Sequence, residues 1–214
     1  ALPAVPDFAE VYYYARHSTR DEVVNVFDRI VNAAKGAALG TGTTMEYEMI
    51  GGTHELLHNE ILQQLVHKNL EKIGGYAYTS EEKVFAEKIS ESLGVSLNTQ
   101  YVEGVEPYDK GGKAGGSTDV GDVSFAVPTV GLRAATWVPG TPAHSWQAVA
   151  AGGTDIGNKG MMVAAKTLAL TAMQLIDNPK IISEAKKEFL QKRGADFKYV
   201  PMLGDRKPAL NYRN

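Results

Sequence analysis

The segment GTPAHSWQAVAAGG, residues 140–153, holds one of only five histidines in a chain that has no cysteine. A neutral imidazole is the commonest nitrogen ligand for zinc, so His144 is a candidate metal ligand. Pro139 and Pro142 stiffen its loop and lower the entropy cost of fixing the ring. A loop that follows a strand end is also where α/β enzymes place their chemistry. Read alone, a single loop histidine such as His144 is ordinarily a solvated residue. One imidazole cannot hold a catalytic zinc, which usually takes three protein ligands.

The second constellation is GGSTDVGDVS, residues 115–124. Gly115 and Gly116 let backbone N–H groups approach an anion, and Ser117 and Thr118 add hydroxyl donors. That chemistry suits a carboxylate or a phosphate. No Lys-Ser/Thr pair follows at Walker spacing, so it is not a P-loop. The same residues also read as a flexible turn, with Asp119 and Asp122 as turn or capping aspartates. Arg16 could clamp a carboxylate bidentately, or simply face solvent at the end of a strand beside His17. His54 and His58 have i, i+4 spacing. Their surroundings instead read as the start of a helix, with His58 or Asn59 capping, and a metal role is disfavoured. His67 reads as a surface residue. Tyr12, Tyr13 and Tyr14 suggest sheet packing or an interface edge, since no basic stripe accompanies them.

The elements that must position these groups follow from periodicity. AEVYYYAR (9–16) reads as a strand, and the helix after it has Ser18 as N-cap and ends in the glycines Gly36 to Gly42. Within that helix Val23, Val24, Phe27, Ile30 and Val31 make one apolar stripe. TTMEYEMIGG (43–52) alternates like a half-buried strand. Helices are expected over 58–74 and 80–94, and a long functional loop over 95–118. Residues 123–138 read as one or two buried strands interrupted at Pro128. Helices at 158–178 and 181–194 complete the chain, separated by Asn178-Pro179. No internal repeat is visible, and a domain boundary is expected near 51–58.

Composition bounds the function classes. With 214 residues, 43% hydrophobic and 22% charged, the chain can bury a core. A net charge of −3 gives no basic footprint for nucleic acid. No apolar run is long enough to span a bilayer, and no signal peptide is visible, so a cytoplasmic location is expected. Zero cysteines exclude thiolate catalysis and sulfur-ligated zinc. The chain does not open with methionine, and the strand near its start leads to the expectation that an amino-terminal portion is missing.

AVPDFAEVYYYARH, GGSTDVGDVSFAVPTVG, GTPAHSW and DIGNKGMMVAAKTLA resemble, in this order, the carboxy-terminal half of a known family. It is the dinuclear-metal amidohydrolases of the aminoacylase and carboxypeptidase superfamily, nearest to the p-aminobenzoyl-glutamate hydrolase branch. The resemblance implies an α/β fold. Residues 53–214 would be the carboxy-terminal part of a zinc-peptidase-like α/β/α catalytic domain. Residues 1–52 would be the second half of an α+β, ferredoxin-like lid through which relatives dimerise. It implies that His144 is the last metal ligand, that Gly115, Gly116, Ser117, Thr118 and Asp119 receive the substrate's free carboxylate, and that Arg16 faces substrate. Relatives often carry asparagine where this chain has Ala4. The remaining ligands, the catalytic glutamate and a lid histidine are expected upstream.

The implied cofactor is a pair of divalent ions, zinc or manganese. The implied reaction is attack of a bridging water, deprotonated by the glutamate, on the amide of an N-acyl amino acid. By itself the chain would be inactive, a partial enzyme that needs its amino-terminal half. It would bind neither nucleic acid nor membrane. Two other readings stay open: a non-catalytic dimerisation or carboxylate-binding module on the same scaffold, and a phosphate-binding protein built on the GGST loop.

Overall fold

Every regular element in the structure, a computed structural model describing residues 6–109, 116–203, 207 and 210, is a helix. In chain order these are α1 (Arg20–Thr41), α2 (Glu60–Ile73), α3 (Ser80–Leu93), α4 (Gln100–Glu103), α5 (Val120–Ala126), α6 (Trp146–Gly152), α7 (Asp155–Asp177) and α8 (Pro179–Arg193). No described helix is long and apolar enough to cross a membrane. The expected α/β class with a ferredoxin-like lid is therefore corrected: among the described residues there is no strand and no sheet.

The reason lies in what a strand requires. Aromatic and β-branched residues favour a strand only where a neighbouring strand pairs the backbone and half buries the side chains. AEVYYYAR has the composition, but among the described residues no strand pairs with it, and Tyr12, Tyr13 and Tyr14 are 65%, 62% and 80% exposed. TTMEYEMIGG forms no strand either, and Tyr47 and Ile50 are exposed. In the segment 123–138 the first residues belong to α5 and the rest form no regular element. The expected loop over 95–118 is also broken, by the single turn of α4.

The chain divides into two compact units. One comprises Ala1–Leu56, Thr118–Phe125 and Lys198–Asn214. Its main element is α1, whose N-cap is Thr19, one residue later than the expected Ser18, and whose cap side chain makes no hydrogen bond. The Arg20 N–H finds its acceptor instead in Glu55 Oε2 at 3.0 Å. Gly42, in the left-handed conformation, ends the helix as expected.

The other unit comprises Leu57–Ser117 and Ala126–Phe197. Here α2 packs along α7 and α8, and α6 packs against α7. Asn59 is the N-cap of α2, accepting from Leu62 N at 3.1 Å and donating to the Ala185 carbonyl of α8 at 2.8 Å. Glu188 of α8 then accepts the N–H groups of Glu60 and Ile61, so α8 satisfies two of the N–H groups left open at the start of α2. Thr79 and Glu82 form a reciprocal capping box at the start of α3. Ala86, Ile89, Val138, Ala151 and Ile156 make the apolar core, flanked by Tyr78, Phe85 and Leu97. Gly160 lets α7 approach the Ala135 carbonyl so closely that a Cβ there would collide with it. Pro179 separates α7 from α8 as the sequence suggests, and it also begins α8, two residues before the expected start at 181.

Candidate functional site

His144 sits on a turn just before α6, and its φ of 60° makes it the one non-glycine residue with positive φ among those described. That conformation costs a side-chain-bearing residue about 1–3 kcal/mol and clusters at functional sites. Ser145 holds it in place. Its Oγ donates to the Pro142 carbonyl at 2.7 Å and accepts the Ala148 N–H at 3.2 Å, closing the turn on one side and capping α6 on the other. The imidazole is exposed and, among the described residues, has no hydrogen-bond or ion-pair partner. Trp137, Trp146 and Val149 line the hollow beside it, and Trp146 is 63% exposed.

Within GGSTDVGDVS, Gly115 lies outside the described residues, as does Ala4, while Gly116, Ser117, Thr118 and Asp119 are exposed. Thr118 Oγ1 accepts the Val120 N–H at 3.2 Å, and the Asp119 carbonyl accepts the Asp122 N–H at 3.1 Å. Thr118 and Asp119 share a unit with Arg16, whereas Gly116, Ser117 and His144 belong to the other. Arg16 is exposed and has no hydrogen-bond or ion-pair partner among the described residues.

Sequence reasoning missed what Asp122 does. Its Oδ1 lies 2.7 Å from His54 Nδ1 and accepts the Tyr199 hydroxyl at 3.1 Å, while its Oδ2 faces the His54 N–H at 3.4 Å. An ionised carboxylate only accepts, so the proton between the pair belongs to His54 Nδ1. Burial alone would raise the Asp122 carboxyl. The bonds from the His54 ring, the Tyr199 hydroxyl and the His54 backbone outweigh it and hold the group below its ordinary range. His54, only 5% exposed, is flanked by Phe125 at 4.7 Å and stacks on Tyr199 at 5.5 Å between ring centroids. Sixty-eight residues separate the two partners, and no local pattern announces such a pairing.

The remaining histidines take ordinary places. His58 is exposed next to Asn59 and meets Gln63 at 3.2 Å, and His67 faces Glu71 on α2 at 3.3 Å. Lys159 of α7 pairs with Glu82 of α3 at 2.7 Å. Beside that pair the Tyr76 hydroxyl is shared between the carbonyls of Ala135 and Ile156, at 2.8 and 2.9 Å. Burial, and then the Glu82 charge, pushes the neighbouring Tyr78 hydroxyl up to about 12.

Among the described residues no group of three or more metal-ligating side chains converges. These residues therefore do not make a metal site by themselves, and His144 fits one only as a single ligand. No family model matches the chain, and no solved structure matches it significantly. Curated proteins do. The chain is 33% identical to a subunit of the p-aminobenzoyl-glutamate hydrolase of Escherichia coli (strain K12), over 86% of its own length and 43% of that protein. The chain is a relative of this hydrolase. It is also 28% identical to a Xaa-Arg dipeptidase of Mus musculus and 27% identical to that of Homo sapiens, each over 86% of this chain. The chain spans between 36% and 43% of the length of these relatives. The kinship expected from STDVGDVS and GTPAHSW is thus shown over most of the sequence.

Proposed function

We propose that this chain supplies part of the active site of a metal-dependent hydrolase that cleaves the amide bond of an N-acyl amino acid, of the aroyl-glutamate type. Support comes from the kinship to one component of a p-aminobenzoyl-glutamate hydrolase and to two Xaa-Arg dipeptidases, whose names share the chemistry of amide cleavage next to an amino acid. The observation that carries the reading to a residue is His144, whose exposed, unpartnered imidazole sits on a backbone of positive φ. Strain of this kind persists only where the surroundings hold it, and Ser145 provides that hold.

In this reading His144 is one ligand of a divalent site, zinc or manganese, whose other ligands and catalytic glutamate lie outside this chain. The ions would act as Lewis acid on the amide carbonyl. The backbone N–H groups of Gly115–Asp119 and the hydroxyls of Ser117 and Thr118 receive the substrate carboxylate, with Arg16 as a second anchor. Thr118 Oγ1 accepts from Val120, which leaves its O–H free to donate. Residues 1–52 serve dimerisation and residues 53–214 serve catalysis, in an enzyme that works in the cytoplasm.

The test is hydrolysis of p-aminobenzoyl-glutamate by the complete protein, with metal content measured alongside. Activity that needs metal and is lost in His144→Ala supports the proposal. A complete protein that binds no divalent metal and cleaves no acyl amino acid overturns it in favour of a non-catalytic carboxylate-binding module.

A further inference from the structure

Three separate stretches of one unit meet at a carboxylate that one of them supplies. Asp122 of α5 receives the His54 ring, the His54 backbone N–H and the Tyr199 hydroxyl. Gly121 makes that approach possible, since a Cβ there would collide with the His54 carbonyl. The same cluster reaches α1. Glu55, next to His54, accepts the Arg20 N–H, and the Arg20 guanidinium donates to the carbonyl of Val200, next to Tyr199, at 2.9 Å. A carboxylate held against a buried histidine is weak evidence for stability, because desolvation offsets much of the attraction. Such a pair does fix geometry, because an ionised carboxylate with several donors has few alternative places to go.

What it fixes is the segment immediately before it. Thr118 is tied to Val120 and Asp119 to Asp122 by the two short-range bonds described above. We infer that His54, Asp122 and Tyr199 form a latch that sets the backbone of Thr118 and Asp119, with Asp122 as a positioning residue for the carboxylate-receiving loop. The loop's role rests on the proposed hydrolase function, whereas the latch itself does not. Asp122 touches no substrate and acts through the two residues that precede α5. A mispositioned loop raises KM for substrates that carry the carboxylate and leaves the chemical step alone.

Two readouts in the complete protein test this. The first is amide hydrogen exchange at Val120 and Asp122, which reports local opening. The second is KM against kcat for p-aminobenzoyl-glutamate. Asp122→Ala should speed exchange at both amides by about tenfold or more while the Glu82 amide in the α3 capping box keeps its protection. It should raise KM by about tenfold with kcat within about a factor of two. Asp122→Asn, which retains the acceptor oxygen, should recover part of both effects. Tyr199→Phe removes one donor without touching the pair, and serves as the variant should Asp122→Ala not fold. Parental exchange at Val120 and Asp122 in the folded variants overturns the latch, and a fall in kcat with KM unchanged overturns its role in positioning the carboxylate-receiving loop. Faster exchange in a protein that cleaves no acyl amino acid upholds the latch and removes the hydrolase reading instead.

Discussion

Ser145 Oγ donates to the carbonyl of Pro142 at 2.7 Å, so one hydroxyl bridges the backbone on either side of His144. The same oxygen caps α6 by accepting from Ala148. Ser145→Ala removes both bonds at once. Loss of an N-cap of this kind costs about 1 kcal/mol, which urea denaturation should read as a lowered midpoint at unchanged slope. If the turn presents His144 to a metal, the variant should also weaken zinc binding by the complete protein. Ser145→Thr, which keeps the hydroxyl, should restore most of both.

Gly160 gives a prediction with an inverted sign. A glycine inside a helix normally gains about 1 kcal/mol on replacement by alanine. Here the new Cβ would collide with the Ala135 carbonyl, and the Thr136 side chain is close behind. Overpacking of this kind costs about 1–3 kcal/mol, so Gly160→Ala should destabilise the protein. Gly36 of α1 has open space around its Cβ position, and Gly36→Ala should stabilise it. Denaturation midpoints of the two variants must move in opposite directions.

The Glu82–Lys159 pair should make stability depend on pH in a defined window. Burial would raise the Glu82 carboxyl, but bonds from Lys159 and from the Thr79 N–H lower it below the ordinary 4.5. A carboxyl whose folded pKa lies below its unfolded one contributes stability that is fully present above the unfolded value. That contribution is lost as pH falls through the lower, folded value. Lys159→Met should therefore cost about 1–2 kcal/mol at pH 7, and the gap to the parent should close at acid pH. A gap that is the same at both pH values contradicts this role for the pair.

Local chemistry makes the helices of the second unit legible. Asn59 and Asn178-Pro179 mark boundaries because capping and proline act within one turn of sequence. The tyrosine-rich segment near the start misleads for the opposite reason: strand formation is decided by a neighbour that composition does not reveal. His144 is visible as a candidate from its type and loop, but its backbone strain is not. The His54–Asp122 pair is not visible at all, because it joins a residue that reads as a helix lead-in to one that reads as a turn aspartate. That failure has a simple physical origin: both residues look solvated in their own segments, and only the fold buries one against the other.

In the proposed function, His144 serves a metal in an amide-cleaving enzyme. The most direct measurement is zinc and manganese content together with p-aminobenzoyl-glutamate cleavage by the complete protein, parent against His144→Ala. The expected result is bound metal and turnover in the parent, with turnover lost by at least about a thousandfold and metal content reduced in the variant. Equal metal content and equal turnover in the two proteins would contradict the role of His144.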